Sequence, residues 1–254
     1  MKKQMKIMKR FVFSFFYFAA AMQGNAQPYP ASSYKLSDDG LTLEEWRGNE
    51  TIVDMNGDPA LSQITAIGSY VFGFVPCEVV KMSNKVEKIS SKSFIGSDLK
   101  EIYLPASLNE IEDRGYGWSS NYSQLPRLEL LHIDEANPYF IADGLNIYNK
   151  NKTKLIMAGW GKTEGVFHIP NTVKEIDDYA FASSQYSGIV IPESVESVGH
   201  SSFWGIKCKS LILPSSLKYL DYRALDMSYF EDVVFLSLEP PLASLALILV
   251  IVII

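Results

Sequence analysis

Proline spacing constrains this chain more than any other feature. "IYLPASLNEI" begins at Ile102, "FHIPNTVKEI" at Phe167, "IVIPESVESV" at Ile189 and "LILPSSLKYL" at Leu211. Pro170, Pro192 and Pro214 stand 22 residues apart. The same step back from Pro105 reaches Ser83 in "VKMSNKVEKI", which keeps every apolar position. The next apolar site holds the step through Ile67, Ile89 and Ile111, and again through Ile176, Val198 and Leu220. Five residues further on stand Phe72, Phe94 and Tyr116, then Phe181, Phe203 and Leu225. A fixed period of this length marks a repeat array.

Each copy reads as one coil. Ile189 and Ile191 alternate on a short strand and point the same way. Pro192 ends the strand, where a missing N–H costs least. Val195 and Val198 turn inward on the next side, and Phe203 fills a third corner. Such a coil buries about five large side chains, on the order of 10 kcal/mol, and ordering its residues costs more than that. A lone coil therefore does not fold, whereas stacked coils share a core and pair their strands into a parallel ladder. The expected fold is a β-rich, right-handed solenoid of coils of about 22 residues, joined by tight turns or short 3-10 pieces.

Two coils break the period. From Pro105 to the aligned Asp134 is 29 residues, and from Asp134 to Pro170 is 36. The irregular coils are placed at 112–127 and 135–165. The first surplus falls in "RGYGWSSNYSQ", Arg114 to Gln124. There Tyr116, Trp118 and Tyr122 offer contact area, and Ser, Asn and Gly offer hydrogen bonds, as in adaptable binding loops. A repeat loop also tolerates such an insertion without any role. "IYNKNKTKLI" in the second irregular coil reads as a hairpin around Asn149 to Lys152.

The first 26 residues read as a secretory signal peptide. Lys2, Lys3, Lys6, Lys9 and Arg10 make a basic start, Phe11 to Met22 is a short apolar run, and Gly24-Asn25-Ala26 offers a small-residue cleavage site. Their removal takes the net charge from −6 to −11. A chain this acidic lacks the basic face that nucleic acid requires. Residues 27–42 form an N-terminal segment, 43–241 the array and 242–254 a hydrophobic tail, "LASLALILVIVII". At 13 residues, the tail is too short for a membrane span. It reads as the truncated or frame-disrupted end of a longer array, or as a hydrophobic strand that covers the last coil or docks a partner.

Chemical motifs fare poorly. "GWGKTEG", Gly159 to Gly165, has Ile156 where a phosphate loop needs glycine, and strand-like "VFHIP" follows instead of a helix. "DMNGD", Asp54 to Asp58, has Pro59 and Thr65 where a calcium loop needs Gly and Glu, and reads as a turn. No Gly-x-Ser-x-Gly elbow occurs. Cys77 and Cys208 share one repeat phase about six coils apart, on the order of 25–30 Å at the spacing of stacked strands. A disulfide needs far less, so both thiols are expected free. No cofactor, metal or catalytic residue is assigned.

The outward strand positions form one expected ladder: Lys81, Tyr103, His132, His168, Val190, Ile212 and Val234. It runs from polar to apolar. An apolar strip on a repeat surface marks a partner site, and β-branched residues also simply suit a sheet surface. Tyr103, His132, His168, Val190 and Ile212, with Tyr116, Trp118 and Tyr122 of the insertion, are the candidate partner-binding residues. His132 and His168 would share a metal only on adjacent strands, and the 36-residue coil between them is expected to insert another strand.

The pattern "IPxSVxxIGxxAF" resembles the repeat of BspA-like leucine-rich repeat proteins. Ile176-Asp177-Asp178-Tyr179-Ala180-Phe181 and Ile67-Gly68-Ser69-Tyr70-Val71-Phe72 carry the likeness. "NPYFIADGLNIYNKNKTKLI", Asn137 to Ile156, is similar to a longer segment found between repeats in that family. "DDGLTLEEWRGNETIVDMNGDP", Asp38 to Pro59, resembles the start of such arrays in gut Bacteroidales-type proteins. The likeness covers Leu43 to Pro241 and departs at Glu112 to Gln124 and at the C-terminus. It implies a leucine-rich-repeat-like solenoid, secreted or displayed at the cell surface, that binds host or neighbouring-cell surface and matrix proteins without catalysis. Glycan recognition through Tyr103, Trp118 and Tyr122, and a hydrolase with a non-local site, are the alternatives.

Overall fold

A coil places each residue beside its counterpart one period later, so neighbouring backbones meet as parallel strands. The computed structural model describes residues 28–112, 125, 127–159, 165–182 and 184–237. The expected signal peptide, the insertion with Tyr116, Trp118 and Tyr122, most of "GWGKTEG" and the hydrophobic tail lie outside these residues.

In the N-terminal half, β1 (Tyr34–Leu36) pairs antiparallel with β2 (Thr42–Trp46). There follow β3 (Ile52–Asp54), β4 (Ala66–Ile67), β5 (Val79–Lys81), β6 (Lys88–Ile89), β7 (Glu101–Leu104), β8 (Glu110–Ile111) and β9 (Leu130–Ile133). Two ladders run side by side, β1-β2-β4-β6-β8 and β3-β5-β7-β9. The second contains the strands that precede each proline position. The first arises at the Ile67, Ile89 and Ile111 sites, whose two-residue strands pair in register. These residues are fully buried or nearly so, and their backbone groups need partners that only adjacent coils supply.

The irregular coil forms a meander of β10 (Phe140–Asp143), β11 (Asn146–Asn149) and β12 (Lys154–Met157). The β11–β12 hairpin is the one expected around Asn149 to Lys152. The C-terminal half continues with β13 (Val166–His168), β14 (Glu175–Ile176), β15 (Gly188–Val190), β16 (Ser197–Val198), β17 (Lys207–Leu213), β18 (Tyr219–Leu220) and β19 (Tyr229–Phe235). β12 joins the ladder β12-β14-β16-β18, while β13-β15-β17-β19 form a separate sheet. The single outward ladder expected from phase is thus two. The meander takes the place of a regular coil, and it hands its last strand to one side of the solenoid only.

The core divides at the same place. Ile147, Ile156 and Met157 pack into the N-terminal cluster, while Tyr148, Leu155 and Ala158 pack into the C-terminal one. Cross-strand partners share a face, Ile147 with Met157 and Tyr148 with Leu155, so the hairpin serves as a wall with an apolar face on each side. The third corner of the coils is an aromatic stack. Phe72 and Phe94 lie 5.6 Å apart at 6°, and Phe181 and Phe203 lie 5.3 Å apart at 13°.

Asn137 ties the meander to the preceding coil. It is fully buried. Its Nδ2 donates to the Pro105 and Leu108 carbonyl oxygens at 3.0 and 2.8 Å, and its Oδ1 accepts from the Tyr139 and Phe140 N–H groups at 2.8 and 2.7 Å. Asn137→Ala strands four backbone groups and is expected to cost about 2–3 kcal/mol, read from the urea midpoint. Asn109→Ala, on the exposed surface, is the control. Equal midpoints for the two variants would show that the clamp is idle.

Cys77 and Cys208 are buried free thiols in the two different clusters. They repeat one arrangement: Cys77 Sγ donates to Val79 O at 3.2 Å and Cys208 Sγ to Ser210 O at 3.3 Å. Burial pushes the Cys77 thiol up from 9.0 to about 11. Its contribution to stability is complete below pH 9.0 and is lost as pH rises towards about 11, because the unfolded thiol ionises first. Cys77→Ala is therefore expected to flatten the alkaline loss of stability across that window by about 2 kcal/mol, measured by denaturation at stepped pH. Parallel curves for the two proteins would contradict the assignment.

Candidate functional site

The outward face of the β3–β9 sheet carries a polar row. The register sets Asp54 beside Lys81, Lys81 beside Tyr103 and Tyr103 beside His132. Each member touches the next. Lys81 Nζ stands 3.7 Å from Asp54 Oδ2 and 5.8 Å from the Tyr103 ring centre. The Tyr103 and His132 rings lie 5.6 Å apart at 52°. Tyr103 Oη donates to Glu101 Oε2 at 2.7 Å. Burial pushes the Tyr103 phenol up, and the Glu101 carboxylate adds to the shift. Tyr103 is thus a proton-holding, half-buried member of the row.

The β13–β19 sheet carries the continuation in phase. His168 pairs with Val190, Val190 with Ile212 and Ile212 with Val234. Val190, Ile212 and Val234 are 44%, 45% and 43% exposed. Their inward neighbours Ile189 and Leu211 are buried, so the strip is the outer face of strands whose inner face holds the core. A groove of about 660 Å³ runs beside it, lined by His168, Pro170, Val190, Pro192 and Glu193 among others. The two prolines that stop β13 and β15 therefore also shape this surface.

The structure brings together Tyr103 with His132, and His168 with Val190 and Ile212, but sets the two groups on different sheets. His132 and His168 do not share a ladder. Among the described residues no group of three or more His, Cys, Asp and Glu side chains is placed to hold a metal. In the turn "DMNGD", Asp58 is buried and its carboxylate accepts from the Tyr29, Ala60 and Leu61 N–H groups at 2.9 Å each. Its oxygens are committed to closing the N-terminal end.

Two features escaped the sequence. A cleft of about 380 Å³ lies between β9 and β10, lined by His132, Asp134, Glu135, Phe140 and Lys150 among others. On the other ladder, the ring of His200 lies 5.5 Å from Tyr179 and 6.1 Å from Tyr222, and its Nδ1 lies 3.0 Å from Asp221 Oδ1. For the second, the step of 22 residues from His200 to Tyr222 was an available signal. For the cleft, only the length of the irregular coil was.

No curated protein sequence matches this chain. Among solved structures, a leucine-rich repeat protein from Eubacterium ventriosum is similar at 20% identity, with 80% of this chain and 69% of that one covered and a TM-score of 0.55. A leucine rich cell surface protein from Faecalibacterium prausnitzii is 15% identical over 83% of this chain and 95% of that one, at a TM-score of 0.43. A leucine-rich repeat protein from Bacteroides ovatus is 15% identical over 74% and 59%, at a TM-score of 0.34. The first of these likenesses supports the solenoid fold. The sequence profile of the BspA type Leucine rich repeat region matches in 6 copies, over residues 59–125 and 165–239. Those stretches cover more than half of the sequence and contain the phased Ile, Pro and Phe positions that build the coils, so the chain belongs to the BspA type leucine rich repeat family.

Proposed function

We propose that this chain is exported, loses residues 1–26 and acts at the bacterial cell surface as a non-catalytic protein-binding module. The carrying observation is the in-register strip of Val190, Ile212 and Val234, each more than two-fifths exposed. Such side chains gain by burial against a partner, and a rigid sheet spends little entropy in presenting them. The basic, then apolar, then small-residue pattern of the first 26 residues supports export. Among the described residues no helix is long and apolar enough to cross a membrane. The partners are host or neighbouring-cell surface and matrix proteins, which the family implies.

The test is binding of the secreted protein to immobilised host matrix proteins, beside a glycan array and broad hydrolase assays. Val190→Glu with Ile212→Glu is expected to weaken matrix-protein binding about tenfold or more and to leave the melting transition in place. Binding that ignores this double variant overturns the strip as the site. Glycan binding lost in Tyr103→Ser would replace the reading with sugar recognition, and turnover of any hydrolase substrate would replace it with catalysis.

A further inference from the structure

The ladder that contains Tyr103 stops at β9. β7 covers one edge of β9, and among the described residues no strand pairs with the other. β10 is likewise an end strand, held by β11. The cleft of about 380 Å³ lies between these two strands, with residues 131–135 on one side and 140–142 on the other. An open strand edge offers a row of N–H and C=O groups to any extended chain that reaches it. Within the same ladder the next coil fills that position for β3, β5 and β7.

Charge stops at the same place. Along the regular coils, lysines meet carboxylates one coil away: Lys81 meets Asp54 at 3.7 Å and Lys100 meets Glu78 at 2.6 Å. Lys100 and Glu129 immediately precede the paired residues Glu101 and Leu130, so Glu78, Lys100 and Glu129 form one row. The row ends on exposed Glu129, where the alternation calls for a cation next. Asp134 and Glu135, at the other end of β9, are exposed as well. Among the described residues none of these three carboxylates has an ion-pair partner. Lys150 is the opposing charge in the cleft, and its Nζ donates to the Glu135 carbonyl oxygen at 2.9 Å.

We infer that an extended, basic segment of a partner protein adds to β9 as a further strand. Its main chain pairs with the open edge, and its Lys or Arg side chains meet Glu129, Asp134 and Glu135. Main-chain pairing supplies affinity, and the flanking charges select the sequence. Leu130, 39% exposed, and His132 lie on the outward face of the same strand, beside Tyr103. This site is on the N-terminal sheet and the Val190–Ile212–Val234 strip is on the C-terminal one, so each can fail without the other.

The test uses the full chain and three labelled peptides: alternating Lys and Thr, alternating Glu and Thr, and the Lys/Thr peptide with N-methyl groups on alternate amides. Fluorescence anisotropy is expected to show the Lys/Thr peptide binding about tenfold or more tightly than either of the others. A variant combining Glu129→Lys, Asp134→Asn and Glu135→Lys is expected to invert the Lys/Thr over Glu/Thr preference. The asparagine keeps the acceptor that Asp134 gives the Ala136 N–H (2.8 Å). Equal binding of the N-methylated peptide overturns strand addition. An unchanged preference in the variant overturns the role of the carboxylates, and no binding of the Lys/Thr peptide overturns the site.

Discussion

The N–H groups of Glu87 and Lys88 both reach the carbonyl oxygen of Thr65, and those of Asn109 and Glu110 both reach that of Glu87. The same fork recurs from Lys174 and Glu175 to Thr153, and from Lys218 and Tyr219 to Glu196. Among the described residues these coils bond through their neighbours. Inside the parallel ladders each short strand draws its partners from neighbouring coils, and a buried backbone group without one is costly. Stability therefore belongs to the stack, and the interruption by the meander matters more than any loop on the surface. Asn137 shows how the stack tolerates it: one buried amide supplies four hydrogen bonds where the regular ladder ceases.

The coil was legible because its corners are apolar and its strand stops are prolines. Pro105, Pro170, Pro192 and Pro214 each follow a strand end closely, and Val195, Val198 and Phe203 are fully buried as their spacing predicts. Less legible was the corner itself. Tyr70, Lys92, Tyr179 and Ser201 each stand two residues before the buried phenylalanine with φ of 65°, 62°, 56° and 49°. Glycine or asparagine would have announced these left-handed positions; tyrosine, lysine and serine do not. Each costs about 1 kcal/mol or more. The conformation is enforced by turn hydrogen bonds such as Ile95 N–H to Lys92 O, and by inter-coil bonds such as Phe72 N–H to Ser93 O. Tertiary context overrides local preference at these four copies.

The candidate residues were legible by phase but not by environment. Period alone put Tyr103 beside His132 and Val190 beside Ile212. It did not show that Glu101 and Lys81 engage Tyr103, because those contacts depend on side chains reaching across and along strands. Nor did it show that the ladder divides, since nothing in "NPYFIADGLNIYNKNKTKLI" marks which side of the solenoid its strands will join.

That division gives the two halves different surfaces. In the N-terminal sheet one outward row is engaged from strand to strand: Asp54 with Lys81, Lys81 with Tyr103, Tyr103 with His132. A partner docking there must replace contacts already made, so it gains selectivity more than affinity. In the C-terminal sheet Val190, Ile212 and Val234 make no such polar commitments, and covering them returns the full benefit of burial. A solenoid with one uniform ladder would offer a single kind of surface along its whole length, whereas the meander lets one short array present both, with an open strand edge where they meet.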